Sequence, residues 1–101
     1  MRIGYVDAND CNFTIVIKDN SKQDKAVECI KRGIEAWYAA TDPGAYDGNE
    51  FTKDEVANFY WEGYAEPTCK LLEREGIEYE LVDDEYYDDG RRVFDRLVNG
   101  F

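Results

Sequence analysis

The chain contains no histidine. That excludes a Ser–His–Asp triad, imidazole acid–base work and His-ligated zinc. Its three cysteines, Cys11, Cys29 and Cys69, are odd in number and form no Cys-x-x-Cys pair. Free thiols in a reducing cytoplasm are expected from that, not a disulfide framework. Glycine-rich phosphate-binding signatures are missing. No apolar run approaches the roughly 20 residues that span a bilayer. The start, Met1-Arg2-Ile3-Gly4-Tyr5, lacks the apolar stretch of a secretory signal, so neither export nor membrane insertion is expected.

The scarcest commodity is positive charge beyond residue 41. Residues 1–41 carry six acids and six bases, whereas residues 42–101 carry seventeen acids and six bases. The second part therefore accounts for the whole net charge of −11. Self-repulsion of such a field opposes compaction, while the field repels nucleic acid and anionic membranes and attracts basic surfaces. Aromatics are frequent, with eight Tyr, five Phe and two Trp. An acidic disordered segment is poor in such residues. One folded domain over residues 1–101 is expected.

The pattern predicts a small α+β fold. Phe13 to Lys18 is β-branched and alternating and reads as a strand, with Arg2 to Val6 as its hairpin partner across Asn9-Asp10. Ser21-x-x-Asp24 resembles a capping box before a helix over roughly 22–40. The apolar face of that helix is predicted to be Ala26, Val27, Ile30, Ile34, Trp37 and Tyr38. On its other face, Glu28–Arg32 and Lys31–Glu35 are spaced to pair. Residues 41–50 read as a loop, and Thr52-x-x-Glu55 as a capping box opening a second helix whose apolar side includes Val56, Phe59, Tyr60 and Tyr64. Pro67 implies either a kink or a third helix with proline in its first turn, and Gly76 a helix stop. Ile77-Glu78-Tyr79-Glu80-Leu81 alternates, with Ile77, Tyr79 and Leu81 predicted inward. Residues 83–90 read as an acidic loop or strand extension. Residues 91–98 read as a short helix, with a hairpin at Asp89-Gly90 as the alternative. The predicted architecture is an antiparallel sheet of two to three strands with three to four helices packed on one face, in two layers.

Catalytic and metal chemistry find little footing. Nothing marks two of the twenty-three acids as an acid–base pair, and no enzymatic activity or cofactor is expected. The EF-hand pattern fails: with Gly90 as the loop glycine, Arg96 falls where a bidentate Glu belongs, and with Gly48 the first ligand would be Pro43. Weak divalent-ion binding by residues 83–89 remains an alternative.

The acidic residues are then the candidate binding surface. Glu55, Glu62, Glu66 and Glu73 fall on a helical flank. Glu78 and Glu80 lie on the predicted strand, and Asp83, Asp84, Glu85, Asp88 and Asp89 in the loop. Carboxylates three or four apart on a helix are ~5–6 Å apart at Cβ, and outward neighbours on a strand roughly 7 Å apart. Such spacings suit imitation of the phosphate charge of a duplex. Trp61, Tyr86 and Tyr87 interleave with these acids and are less easily buried, and Tyr and Trp are favoured interface anchors.

In size, in its acid-loaded second part and in the acid–aromatic mixture of residues 54–89, the chain resembles the small acidic proteins of phages and mobile elements that block host defence nucleases. These are the anti-CRISPR and anti-restriction DNA mimics. The likeness is one of type and carries no shared motif. It implies a stoichiometric, non-enzymatic inhibitor of a basic nucleic-acid-binding effector in a bacterial cytoplasm, with no contact to nucleic acid itself. The charge-balanced first part departs from an extreme mimic and implies a scaffold or a dimer surface. Two alternatives stand beside this reading: an adaptor that docks through exposed aromatics, and a weak ligand- or metal-binding protein.

Overall fold

Thr14, Ile15, Val16 and Ile17, β-branched and stiff at χ1, favour the extended chain. In the computed structural model, which describes residues 1–6, 12–63, 65–83 and 87–99, they belong to β2 (Asn12–Ile17). This is the central strand of a three-stranded antiparallel sheet ordered β1-β2-β3. β1 (Arg2–Val6) flanks it on one side and β3 (Tyr79–Asp83) on the other. The predicted Asn9-Asp10 turn lies outside the described residues. Ile3 stands opposite Ile15, and Ile15 opposite Leu81. The Met1 ammonium group donates to the Ile17 carbonyl at 3.1 Å, and the Ile17 N–H donates to the Met1 carbonyl at 2.8 Å.

Before the first helix, Asp19 accepts hydrogen bonds from the Ser21 N–H at 2.9 Å and the Ser21 hydroxyl at 2.6 Å. Asp19 thereby caps a single 3₁₀ turn, Asn20–Lys22, and α1 (Gln23–Tyr38) follows it without a side-chain cap of its own. The predicted Ser21 box does not form because Ser21 is committed to Asp19. The buried face of α1 is Ala26, Cys29, Ile30, Gly33, Ile34 and Ala36. It is rotated from the predicted stripe, since Val27 and Trp37 are half-buried and Tyr38 is exposed. The rotation follows from a close helix crossing: a Cβ on Gly33 would stand 2.7 Å from backbone atoms of Thr68. Arg32 reaches Glu50 at 3.3 Å instead of turning to Glu28.

α2 (Lys53–Glu62) opens on a complete capping box. The Glu55 N–H donates to Thr52 Oγ1 at 3.1 Å, and the Thr52 N–H to Glu55 Oε1 at 2.9 Å. Gly63, at φ 122°, ends α2 in a conformation that side chains rarely tolerate. A separate α3 (Glu66–Arg74) then begins with Pro67 in its first turn, so the chain breaks into two helices. Gly76, at φ 68°, terminates α3 as predicted. β3 begins two residues later than the alternating run. α4 (Tyr87–Asn99) closes the chain as a helix, and Asp88 and Asp89 lie in its first turn, not in a loop.

Cross-strand partners share one face of a sheet and sequential neighbours alternate. Ile3, Ile15 and Ile17 thus share a face with Tyr79 and Leu81. α3 lies on that side, because the Tyr79 hydroxyl donates to Glu73 of α3 at 2.8 Å. The opposite face carries Gly4 and Thr14. α4 packs against β1 there, so closely that a Cβ on Gly90 would come 2.5 Å from the Gly4 nitrogen. Ile3, Ile15 and Thr14 are all wholly buried. The class is α+β as predicted, with α1–α3 grouped together. α4 departs from the one-face arrangement because Gly4 and Gly90 leave room for a helix directly on the β1 backbone.

A candidate binding edge on the third strand

Hydrogen-bond parity decides what β3 offers to solvent. Met1 and Ile17 exchange both backbone bonds, so in an antiparallel ladder Ile15 and Ile17 direct their N–H and C=O groups toward β1. Thr14 and Val16 then direct theirs toward β3, where their partners are Val82 and Glu80. It follows that Tyr79, Leu81 and Asp83 turn their backbone groups away from β2, to the outer edge of the sheet. Leu81 was predicted inward. It shares the face of Ile15 but is 58% exposed; the hydrogen bond that ties α3 to β3 is at Tyr79, two residues before it.

Acids flank this edge on both sides. Glu80 faces the Gly4–Thr14 side and meets Lys18 at 3.0 Å across an exposed contact. Asp83 lies on the other side with Leu81 and is exposed, as is Glu78 just before the strand. Glu73 of α3 adjoins the same side through Tyr79. Burial, and then the adjacent Glu73 carboxylate accepting its proton, raise the Tyr79 hydroxyl above the ordinary tyrosine range. Asp88 and Asp89 are exposed in the first turn of α4, where negative charge favours the helix dipole. Asp89 borders a shallow hollow with Met1, Arg2, Val16 and Val93.

The remaining predicted acids divide. Glu62 is exposed at the end of α2. Glu66 pairs with Lys70 at 3.6 Å, one turn away. Glu55 serves the scaffold: besides its capping box it meets Arg74 at 3.6 Å. Arg74 also donates to the Glu50 carbonyl and lies 4.7 Å over the Phe51 ring. Among the described residues, no ion pair reaches Glu62, Glu78, Asp83, Asp88 or Asp89. Asp84, Glu85 and Tyr86, and the Tyr87 side chain, lie outside what the structure describes.

Trp61 is 81% exposed, as its position off the apolar face of α2 predicts, and meets Tyr60 edge-on at 5.0 Å between ring centroids. Tyr60, predicted on the apolar side, is itself exposed, because Val56 and Phe59 fill the buried face of α2. Sequence reasoning missed both Tyr60 and Leu81 as surface residues. The reciprocal Met1–Ile17 bonds, which set the parity at Leu81, have no sequence signature.

Other centres are spoken for. Cys29 and Cys69 are free and buried; burial pushes the Cys69 thiol up to about 11. A shallow pocket of about 490 Å³ lies beside Arg32, Tyr46 and Glu50, but both side chains are turned onto the same carboxylate, at 3.3 Å each. Among the described residues no three metal-ligating side chains come together. Among them, too, no helix is long and apolar enough to cross a membrane. Comparison of the chain with family models, with curated proteins and with solved structures yields no match.

Proposed function

We propose that this protein is a non-enzymatic acidic inhibitor that occupies the nucleic-acid-binding surface of a basic protein, such as a host nuclease or defence effector. The observation that carries the reading is the segregation of charge: all of the net −11 resides in residues 42–101. Several of those carboxylates are exposed on a strand and on helix termini, with no ion pair among the described residues. Supporting it, carboxylates on helices and strands stand at spacings of ~5–7 Å from near neighbours on the same element, a range that lysine and arginine side chains can bridge. The mimic forgoes the counterion release that favours real DNA, so its complex draws on backbone and aromatic contacts as well.

The test is displacement. Purified bacterial nucleases and their DNA- or RNA-binding subunits are loaded with labelled duplex, and this protein is titrated in across a salt series. The expected result is stoichiometric displacement from at least one of them that weakens steeply with salt. The variant Asp83→Asn, Asp84→Asn, Glu85→Gln, Asp88→Asn, Asp89→Asn should lose about tenfold or more in affinity. Full activity of that variant, or a flat salt dependence, would sink the reading.

The exposed Tyr60–Trp61 pair favours a second reading, an adaptor whose anchor is aromatic and whose charge is only a rim. Under it, Trp61→Ala abolishes binding while the five-site neutral variant mainly slows association.

A further inference from the structure

From the geometry of β3 we infer that the protein takes an extended basic segment of its partner as a fourth strand, laid along the outer edge of β3. The inference rests on the acidic-binder reading and adds the mode of capture.

Three observations converge. The parity of the ladder directs the N–H and C=O groups of Tyr79, Leu81 and Asp83 outward, which is a ready template for one more strand. The other edge strand, β1, has α4 packed closely over its backbone at the Gly4–Gly90 contact, which crowds the approach to that edge. Among the described residues no backbone hydrogen bond takes up the outward groups of this edge, and Leu81 places an exposed apolar side chain at its middle.

Charge then selects the occupant. An added strand alternates its side chains across the two faces. On one face its residues meet Glu80, and on the other Asp83 and the neighbourhood of Glu73. Lysine or arginine on both faces, with an apolar residue near Leu81, complements this arrangement. A second copy of the chain does not, because antiparallel pairing of two β3 edges about Leu81 sets the two Glu80 side chains diagonally across the new seam and brings a second net charge of −11 against the first, which is destabilising. The same acids explain how an exposed edge strand avoids self-association.

Leucine 81 gives a selective test. Its N–H points away from β2, so proline at this position removes a donor from the free edge without removing a ladder bond to β2. The probes are two synthetic decapeptides of equal charge, one carrying lysines on both faces around three valines at alternate central positions, and one with proline in place of each valine. The expected result is that the valine peptide binds about tenfold or more tightly than the proline peptide. Binding should slow amide exchange at Tyr79, Leu81 and Asp83. Leu81→Pro should erase the preference between peptides, while Leu81→Thr, which keeps the N–H, should retain it. Far-UV circular dichroism verifies that each variant is folded. If Leu81→Pro unfolds the chain, amide exchange in the unaltered protein decides alone.

Equal affinity for the two peptides with steep salt dependence would overturn strand addition and leave the acidic-binder reading standing. A preference for the valine peptide that ignores salt would do the reverse. Self-association through β3, seen in sedimentation and abolished by Leu81→Pro, would overturn the assigned occupant.

Discussion

Thr14 lies in the middle of β2, wholly buried, with a hydroxyl that finds no hydrogen-bond partner among the described residues. An unmade bond to a buried polar group costs roughly 1–3 kcal/mol. Thr14→Val keeps the shape and the β-branching, and should raise stability by about 1 kcal/mol in urea unfolding. Gly90 poses the opposite case. Alanine there gains about 1 kcal/mol of helix propensity. However, its Cβ would press on the β1 backbone at 2.5 Å, so a net loss of about 2 kcal/mol is expected. Cys69 makes stability fall at alkaline pH. Its thiol is raised from 9.0 to about 11, chiefly by burial, so the folded state holds the proton more tightly than the unfolded chain. Below about pH 9 the benefit is complete; between about 9 and 11 the unfolded chain deprotonates first and the benefit is lost. The urea midpoint should drop across that window, and less so in Cys69→Ala. Cys29, raised in the same direction by burial, keeps part of the slope.

At the level of elements, local chemistry was the most legible. The Thr52–Glu55 box, the placement of Pro67 and the glycine stop at Gly76 are each decided by a few neighbouring residues, and each stands where the sequence puts it. Thr52→Ala removes the side-chain acceptor for the Glu55 N–H and should cost about 1 kcal/mol, read as a lower denaturant midpoint. What the sequence conceals depends on distant partners. The face of α1 is legible at Ala26, Ile30 and Ile34 but not on its Gly33 side, because Gly33 packs against the Thr68 backbone and glycine contributes nothing to an apolar period. The exposed side of β3 was misplaced because alternation shows two faces without showing how far a covering helix extends. The position of α4 on the Gly4 side likewise depends on two glycines 86 residues apart in the chain, which no local pattern links. Of the candidate site, the acids themselves were legible from composition. Their division between scaffold, as at Glu55, and open edge, as at Asp83, was not, because it depends on where Arg74 and Lys18 come to lie.

For the whole molecule, a net charge of −11 on 101 residues sets two competing consequences. Self-repulsion makes the isolated protein less stable at low salt, where the Debye length reaches about 30 Å at 0.01 M. Its thermal midpoint should therefore rise as sodium chloride is added up to about 0.15 M, where screening acts within ~8 Å. Binding to a basic partner should respond in the opposite sense and weaken over the same range. A protein whose acids served only solubility would show the first trend without the second.

Hydrogen exchange of the protein bound to a nuclease from which it displaces duplex DNA tests the central claim most directly. The account predicts new protection concentrated at β3, with a further footprint on the first turn of α4 and the Glu62 end of α2. Protection confined to the charge-balanced residues 1–41, with the amides of Tyr79, Leu81 and Asp83 exchanging as in the free protein, would contradict it.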